Sequence, residues 1–158
     1  MPQPPLTGLD WKILELLQHD GRITISELAK QLERSRSNIT ERVERLYDCG
    51  VINEISADIN TEKLGFGIKA FVRLNASSSH HREIVSAIVE KPEVCECHVL
   101  TGAELVLIQV VAKDMPHLRQ FVDGLTQYGS TQTDVVFATV KNQIQVNTSL
   151  RKLVESNQ

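Results

Sequence analysis

The apolar residues of this chain change their period at Gly50, and that change restricts the fold more than any other feature. Upstream of it, Leu9, Ile13, Leu16 and Leu17 recur at helical spacing, with Leu14 beside them, and stop before His19-Asp20-Gly21. A second helix is predicted to open at Thr24-Ile25-Ser26-Glu27. There Thr24 can accept the Glu27 N–H while Glu27 reaches back, and Ile23 can staple onto Leu28. A third starts near Ser35, a good N-cap, and places Ile39, Val43 and Leu46 on one face. It ends at Cys49-Gly50, where glycine suits the left-handed residue after a helix.

Downstream of Gly50 the pattern becomes that of strands. Val51–Ile59 reads as a strand or an extended connector, and Asn60 to Gly67, with two glycines, as a hinge. Four strand-like runs follow, at Ile68–Leu74, Val94–Leu100, Leu105–Ala112 and Asp134–Val140. Helical stretches at His81–Val89 and Met115–Leu125 separate the first pair and the last pair. The order β-α-β-β-α-β is the ferredoxin-like arrangement. The fold class is therefore α+β, an N-terminal helix-turn-helix (winged-helix-like) domain followed by a ferredoxin-like sandwich. The expected boundaries are 1–50 for the helical domain, 51–66 for the linker and 67–158 for the sheet domain.

Two helices cover only one face of a four-stranded sheet. The runs Leu105–Ala112 and Val135–Ala138 are nearly continuous in apolar residues, as in strands buried on both sides. Sheets from two chains are thus expected to pack face to face, giving at least a dimer.

Charge says less at first sight, because the net value over 158 residues is −3. Even residues 1–60 carry 7 Lys+Arg against 10 Asp+Glu. Yet Arg34 to Arg45 holds four arginines against Glu41 and Glu44, a local excess of +2. A phosphate-binding face needs only local basicity. No apolar run reaches the roughly 18 to 20 residues that span a bilayer. The opening Met1-Pro2-Gln3-Pro4-Pro5 lacks the features of a signal peptide, so a cytoplasmic, nucleoid-associated location is expected and no membrane partner.

The outward face of the third helix carries the functional signal. Opposite its apolar stripe lie Ser37, Asn38, Glu41 and Arg45, with Arg36, Thr40 and Arg42 on the flanks. Arginine can bind guanine in bidentate fashion, asparagine can do so with adenine, and hydroxyls serve bases or phosphates. The N-terminal part of such a helix is the part that reaches base edges. Ser35, and Thr24 at the start of the second helix, complete the expected DNA-contacting set. Alanine at Arg42 or Arg45 is expected to abolish DNA binding without unfolding the protein. The alternative is an oligomeric sensor that acts through protein partners rather than DNA.

An enzyme is not indicated. Cys95-Glu96-Cys97-His98 is the nearest thing to a metal cluster. On a regular strand Cys95 and Cys97 share one face and His98 takes the other, so three ligands would not converge on one ion. Small apolar cysteines in a core strand are the better account. With Cys49 the cysteines number three, too few for a disulfide framework. No nucleophile–base pair, phosphate-cradling loop or carboxylate dyad stands out, and no cofactor is expected.

Over nearly its whole length the sequence resembles the Lrp/AsnC family of feast/famine regulators. The likeness rests on Leu9-Asp10 with Ile13-Leu14, Asp20-Gly21-Arg22, Glu27-Leu28-Ala29, Ser35, Arg42-Val43, Leu46 and Gly50-Val51-Ile52. It continues through Leu64-Gly65, Val94 to Gly102 and Lys113-Asp114-Met115. The resemblance implies an amino-acid-responsive regulator whose homodimers assemble further, often to octamers, with effectors between dimers. One pocket wall would be the loop from Leu100 to Leu105, including Thr101, Gly102 and Ala103; Thr131 and Thr133 of a neighbouring chain would supply the other. Leu105 stands where many relatives carry an aspartate, and its apolar side chain favours leucine or methionine as effector. Glu33-Arg34 replaces the family's usual Gly-Leu, which predicts discomfort at Glu33 if that turn needs a positive φ.

Overall fold

The structure is a computed structural model and describes residues 5–76, 81–101 and 106–155. In chain order its elements are α1 (Gly8–His19), α2 (Ile25–Gln31), α3 (Arg36–Asp48), β1 (Ile68–Asn75), α4 (His81–Val89), β2 (Val94–Val99), β3 (Val106–Ala112), α5 (Met115–Asp123), β4 (Ser130–Val135) and α6 (Thr148–Glu155). They form two compact units, Met1–Asp58 joined by Lys141–Gln158, and Ile59–Val140. Among the described residues no helix is long and apolar enough to cross a membrane.

The helical unit is built as its caps dictate. Thr7 and Asp10 close a capping box at α1, Thr24 and Glu27 close another at α2, and the Ser35 hydroxyl accepts the Asn38 N–H at α3. Ile13, Leu28, Ala29, Ile39 and Leu46 are buried at the centre, with Leu9, Leu17, Ile23 and Val43 packed around them. Residues 51–59 form no strand and no helix.

Two helix ends in this unit use the same device with different residues. After α3, Gly50 adopts φ 69°; its N–H reaches the Tyr47 carbonyl and the Val51 N–H reaches Leu46. After α2, Glu33 adopts φ 53°; its N–H reaches the Lys30 carbonyl and the Arg34 N–H reaches Ala29. Both are Schellman caps, whose residue beyond the cap sits in the left-handed region. Glutamate carries a Cβ there and incurs roughly 1 to 2 kcal/mol of strain that glycine avoids. Part of that gain is offset by the freer unfolded chain of glycine. Glu33→Gly is therefore expected to stabilise the helical unit by about 1 kcal/mol, read as a higher urea midpoint at unchanged slope.

The C-terminal end differs from expectation. The sheet domain was expected to run to residue 158, whereas residues 141–158 join the helical unit. The Gln18 side chain makes the link: its Nε2 donates to the Ile144 carbonyl at 2.7 Å, and its Oε1 accepts the Val146 N–H at 2.7 Å. One side-chain amide thus takes the place of a neighbouring strand. Asn147 then caps α6 by accepting the Leu150 N–H at 3.0 Å, and the Arg151 guanidinium lies beside Gly8.

The sheet unit has strand order β2-β3-β1-β4, all antiparallel, as the ferredoxin-like reading requires. Ala70, Val72 and Leu74 of β1 and Val106, Ile108, Val110 and Ala112 of β3 point to the helices. They meet Ile84 and Ile88 of α4, Leu118 and Phe121 of α5, and Leu125. The opposite face is mixed rather than apolar. Phe71, Leu107 and Val111 lie there among Lys69, Gln109 and an Arg73–Asp134 ion pair at 2.8 Å.

Three expectations for this unit are corrected. The fourth strand runs from Ser130 to Val135, not from Asp134 to Val140, and Phe137 and Val140 are fully exposed. Its partner β1 begins at Ile68, and the last ladder bond runs from the Val136 N–H to the Lys69 carbonyl. Beyond that point the apolar run has no strand to pair with. The cysteines also part company: a register shift between Val94 and Glu96 leaves Cys95 without a cross-strand partner and exposed, while Cys97 opposes Ile108 and packs against the core. Burial raises both thiol pKa values above the ordinary range. Finally, α5 stops at Asp123 rather than Leu125, in the tight turn that leads through Gly124.

Candidate nucleic-acid interface and effector site

The helical unit places α3 against α1 through a polar network that no apolar period announces. Asp10 is completely buried, the one buried charged residue among those described. Its Oδ2 accepts the Thr7 N–H and hydroxyl, each at 2.7 Å, and an Arg45 Nη2 proton at 2.7 Å. Its Oδ1 accepts from Arg42 Nη1 at 2.9 Å. That nitrogen also donates to the Thr7 hydroxyl at 3.1 Å, and Arg42 Nε donates to Asn38 Oδ1 at 3.4 Å. Burial pushes the Asp10 carboxyl up; the bonds from Thr7, then those from Arg45 and Arg42, outweigh it and bring the pKa down to about 2.

The residues expected to meet DNA therefore divide into groups. Arg36 and Glu41 are exposed on α3 and reach outward; Ser37 is exposed too, its hydroxyl 3.2 Å from that of Ser35, and Thr40 is half-buried beside them. Ser35 and Thr24 spend their hydroxyls on helix caps, Thr24 also donating to Glu27 Oε2 at 2.7 Å. The Thr24 hydroxyl and the Thr24 N–H, both donating to that oxygen, hold the Glu27 carboxyl below the usual carboxylate range. Asn38, Arg42 and Arg45 are tied into the Asp10 network, so the arginines are not the free readers that helical spacing made them. Sequence reasoning missed Asp10 and Thr7 as participants, although Thr7-Gly8-Leu9-Asp10 is a legible capping-box pattern.

Comparison with known proteins finds two family matches along the chain. Residues 6–53 match the winged helix-turn-helix DNA-binding domain, and residues 69–146 match the Lrp/AsnC ligand binding domain. The HTH-type transcriptional regulator FL11 of Pyrococcus furiosus is 34% identical over 118 residues, covering 75% of this chain and 78% of that protein. The chain belongs to the Lrp/AsnC family. It is a DNA-binding transcriptional regulator with a ligand-binding domain, and not an enzyme. Among solved structures, LrpC of Bacillus subtilis superposes with a TM-score of 0.83 at 24% identity, over 89% of this chain and all of the other, and shows the shared fold. The transcriptional regulator NMB0573 of Neisseria meningitidis, solved as a complex with L-Met, has a TM-score of 0.81 at 30% identity, over 92% of this chain and 99% of that one.

In the ligand-binding domain of this Lrp/AsnC regulator, Leu100 and Thr101 follow β2, half-buried and exposed respectively. Gly102, Ala103 and Leu105 lie outside the described residues. Thr131 and Thr133 stand within β4 rather than before it, opposite Leu74 and Val72, and both are half-buried. Because β2 and β4 are the two edges of the sheet, three inter-strand steps part the two groups, roughly 14 Å. One sheet does not bring them together.

Proposed function

We propose that this regulator senses an amino acid, leucine or methionine, held between copies of the chain, and that binding alters how its recognition helices are presented to DNA. The observation carrying this reading is the split of the candidate pocket between opposite sheet edges, so that two copies are needed to close it. Backbone amides at Leu100 and Thr101 and the Thr131 and Thr133 hydroxyls suit a zwitterion, and apolar neighbours suit its side chain. The methionine complex of the Neisseria meningitidis relative favours a ligand of this kind. Dimers would form through the open sheet face, where Phe71, Leu107 and Val111 supply an apolar centre, and would assemble further to an octamer. On the DNA side Arg36, Ser37, Thr40 and Glu41 read the groove, in a cytoplasmic, nucleoid-associated protein. An effector does this only by binding the two states with different affinity.

The test is a thermal-shift screen against the common amino acids, paired with sedimentation velocity. Ligand at about a hundred times its dissociation constant stabilises the native state by about 2.7 kcal/mol. For a chain of this size that corresponds to a rise of roughly 5 to 10 °C, expected with leucine or methionine. Silence with every amino acid, together with unchanged sedimentation, would sink the amino-acid reading and leave the DNA-binding activity intact.

A further inference from the structure

We propose that Asp10 is a positioning residue for DNA binding: it holds Arg42 and Arg45 side by side on α3 so that their remaining N–H groups form a two-arginine clamp for backbone phosphate. The inference rests on α3 being the DNA-facing helix. Asp10 takes one terminal nitrogen from each guanidinium, Nη1 of Arg42 and Nη2 of Arg45. Nη2 of Arg42, and Nε and Nη1 of Arg45, have no partner among the described residues. The carboxylate is fully buried, whereas the two arginine side chains are 26% and 37% exposed, so the cluster presents its cationic side to solvent. One carboxylate against two guanidinium groups leaves a single positive charge. A free arginine must give up side-chain rotamers before it can grip a phosphate, whereas a guanidinium already fixed from behind loses little.

Salt bridging inside the protein and phosphate binding outside it are compatible because a guanidinium has five N–H donors in a planar fork. Asp10 uses the inner ones. The acidic residue therefore costs one unit of local charge and supplies geometry in return. Those two effects have opposite signs in binding, which makes them separable.

The experiment measures binding of a mixed-sequence DNA duplex, where phosphate contacts dominate, as a function of salt. Asp10→Asn keeps the size of the side chain and raises the local charge by one. If Asp10 only diluted positive charge, this variant would bind DNA more tightly. Positioning predicts the reverse, a weakening of about tenfold, with the salt slope shallower by roughly 0.9 for each phosphate no longer engaged. Arg42→Lys retains charge without the fork; it should weaken binding in the native background and add little in the Asp10→Asn background. All variants are read where circular dichroism shows native helix content. Ile13→Val, which loosens the same core without touching the cluster, controls for stability. Equal or tighter binding by Asp10→Asn, additive effects in the cycle, or an equal weakening in Ile13→Val would each overturn the proposal.

Discussion

The double variant Arg42→Ala/Arg45→Ala is expected to lose about 3 to 5 kcal/mol of stability in the helical unit. Helical spacing alone makes these arginines surface readers whose removal would spare the fold. In the structure they are the cations that accompany a buried carboxylate. Without them Asp10 keeps only its bonds from Thr7, and a charge that is 0% exposed is left unpaired. Urea unfolding at neutral pH checks this. A decrease below about 1 kcal/mol would mean that Asp10 is not buried as described. Adding Asp10→Ala to the double variant should recover much of the stability, because exchanging a whole buried ionic group for apolar side chains is far cheaper than orphaning one member.

The same network sets a pH dependence. Asp10 is depressed in the folded state, from 3.8 to about 2. A depressed carboxyl contributes stability that is fully present above its unfolded pKa and is lost as pH falls through the folded value. The window is therefore from about pH 5 down to about pH 2, and the contribution at neutral pH is about 2 kcal/mol. Asp10→Asn should be less stable than the native chain at pH 7 and should lack this segment of the pH–stability curve.

Asp10 also marks where sequence reasoning stopped. Helices α1 to α3 were legible because Ile13, Leu28, Ile39 and Leu46 repeat at the helical period and because Thr24, Ser35 and Gly50 are end signals in their own right. The strain at Glu33 was equally readable, since a turn that needs a positive φ penalises any residue with a Cβ. The Asp10 network was not, because it joins residues 32 and 35 positions apart on different helices, and a period carries no information about polar groups meeting across a core. In the sheet, β1, β2 and β3 were visible as apolar runs. Strand β4 was misplaced because apolarity is a poorer guide there than β-propensity: Thr131 and Thr133 are β-branched and pair with β1, while Phe137 and Val140 are apolar and pair with nothing described. The helix α6 carried both of its signals, an Asn147 cap and Leu150, Leu153 and Val154 at helical spacing. Its place in the helical unit depends instead on the Gln18 amide, which reaches residues more than a hundred positions away.

The true start of β4 also makes Gly129 the site of a second large effect. Gly129 immediately precedes β4 and has φ 157°, and a Cβ built there would run into the backbone carbonyl of Asn75, with the Ala76 Cα at 3.0 Å. Both obstacles are main chain, so no rotamer change relieves them. Asn75 pairs with Ser130, the first residue of β4, and further along the same ladder Leu74 and Val72 pair with Thr131 and Thr133. Gly129→Ala must therefore push the start of β4 away from β1 or twist it out of register. Overpacking of about 1 to 3 kcal/mol and a comparable backbone term put the cost at roughly 3 to 5 kcal/mol, or a fall in melting temperature of about 10 °C or more. The damage should be local to the ligand-binding domain: the folded fraction keeps its affinity for a mixed-sequence duplex, while the thermal shift with leucine or methionine disappears because the threonine wall has moved. A variant that melts within a few degrees of the native chain and still responds to the amino acid would show that Thr131 and Thr133 are not held in place by the Gly129 approach to Asn75.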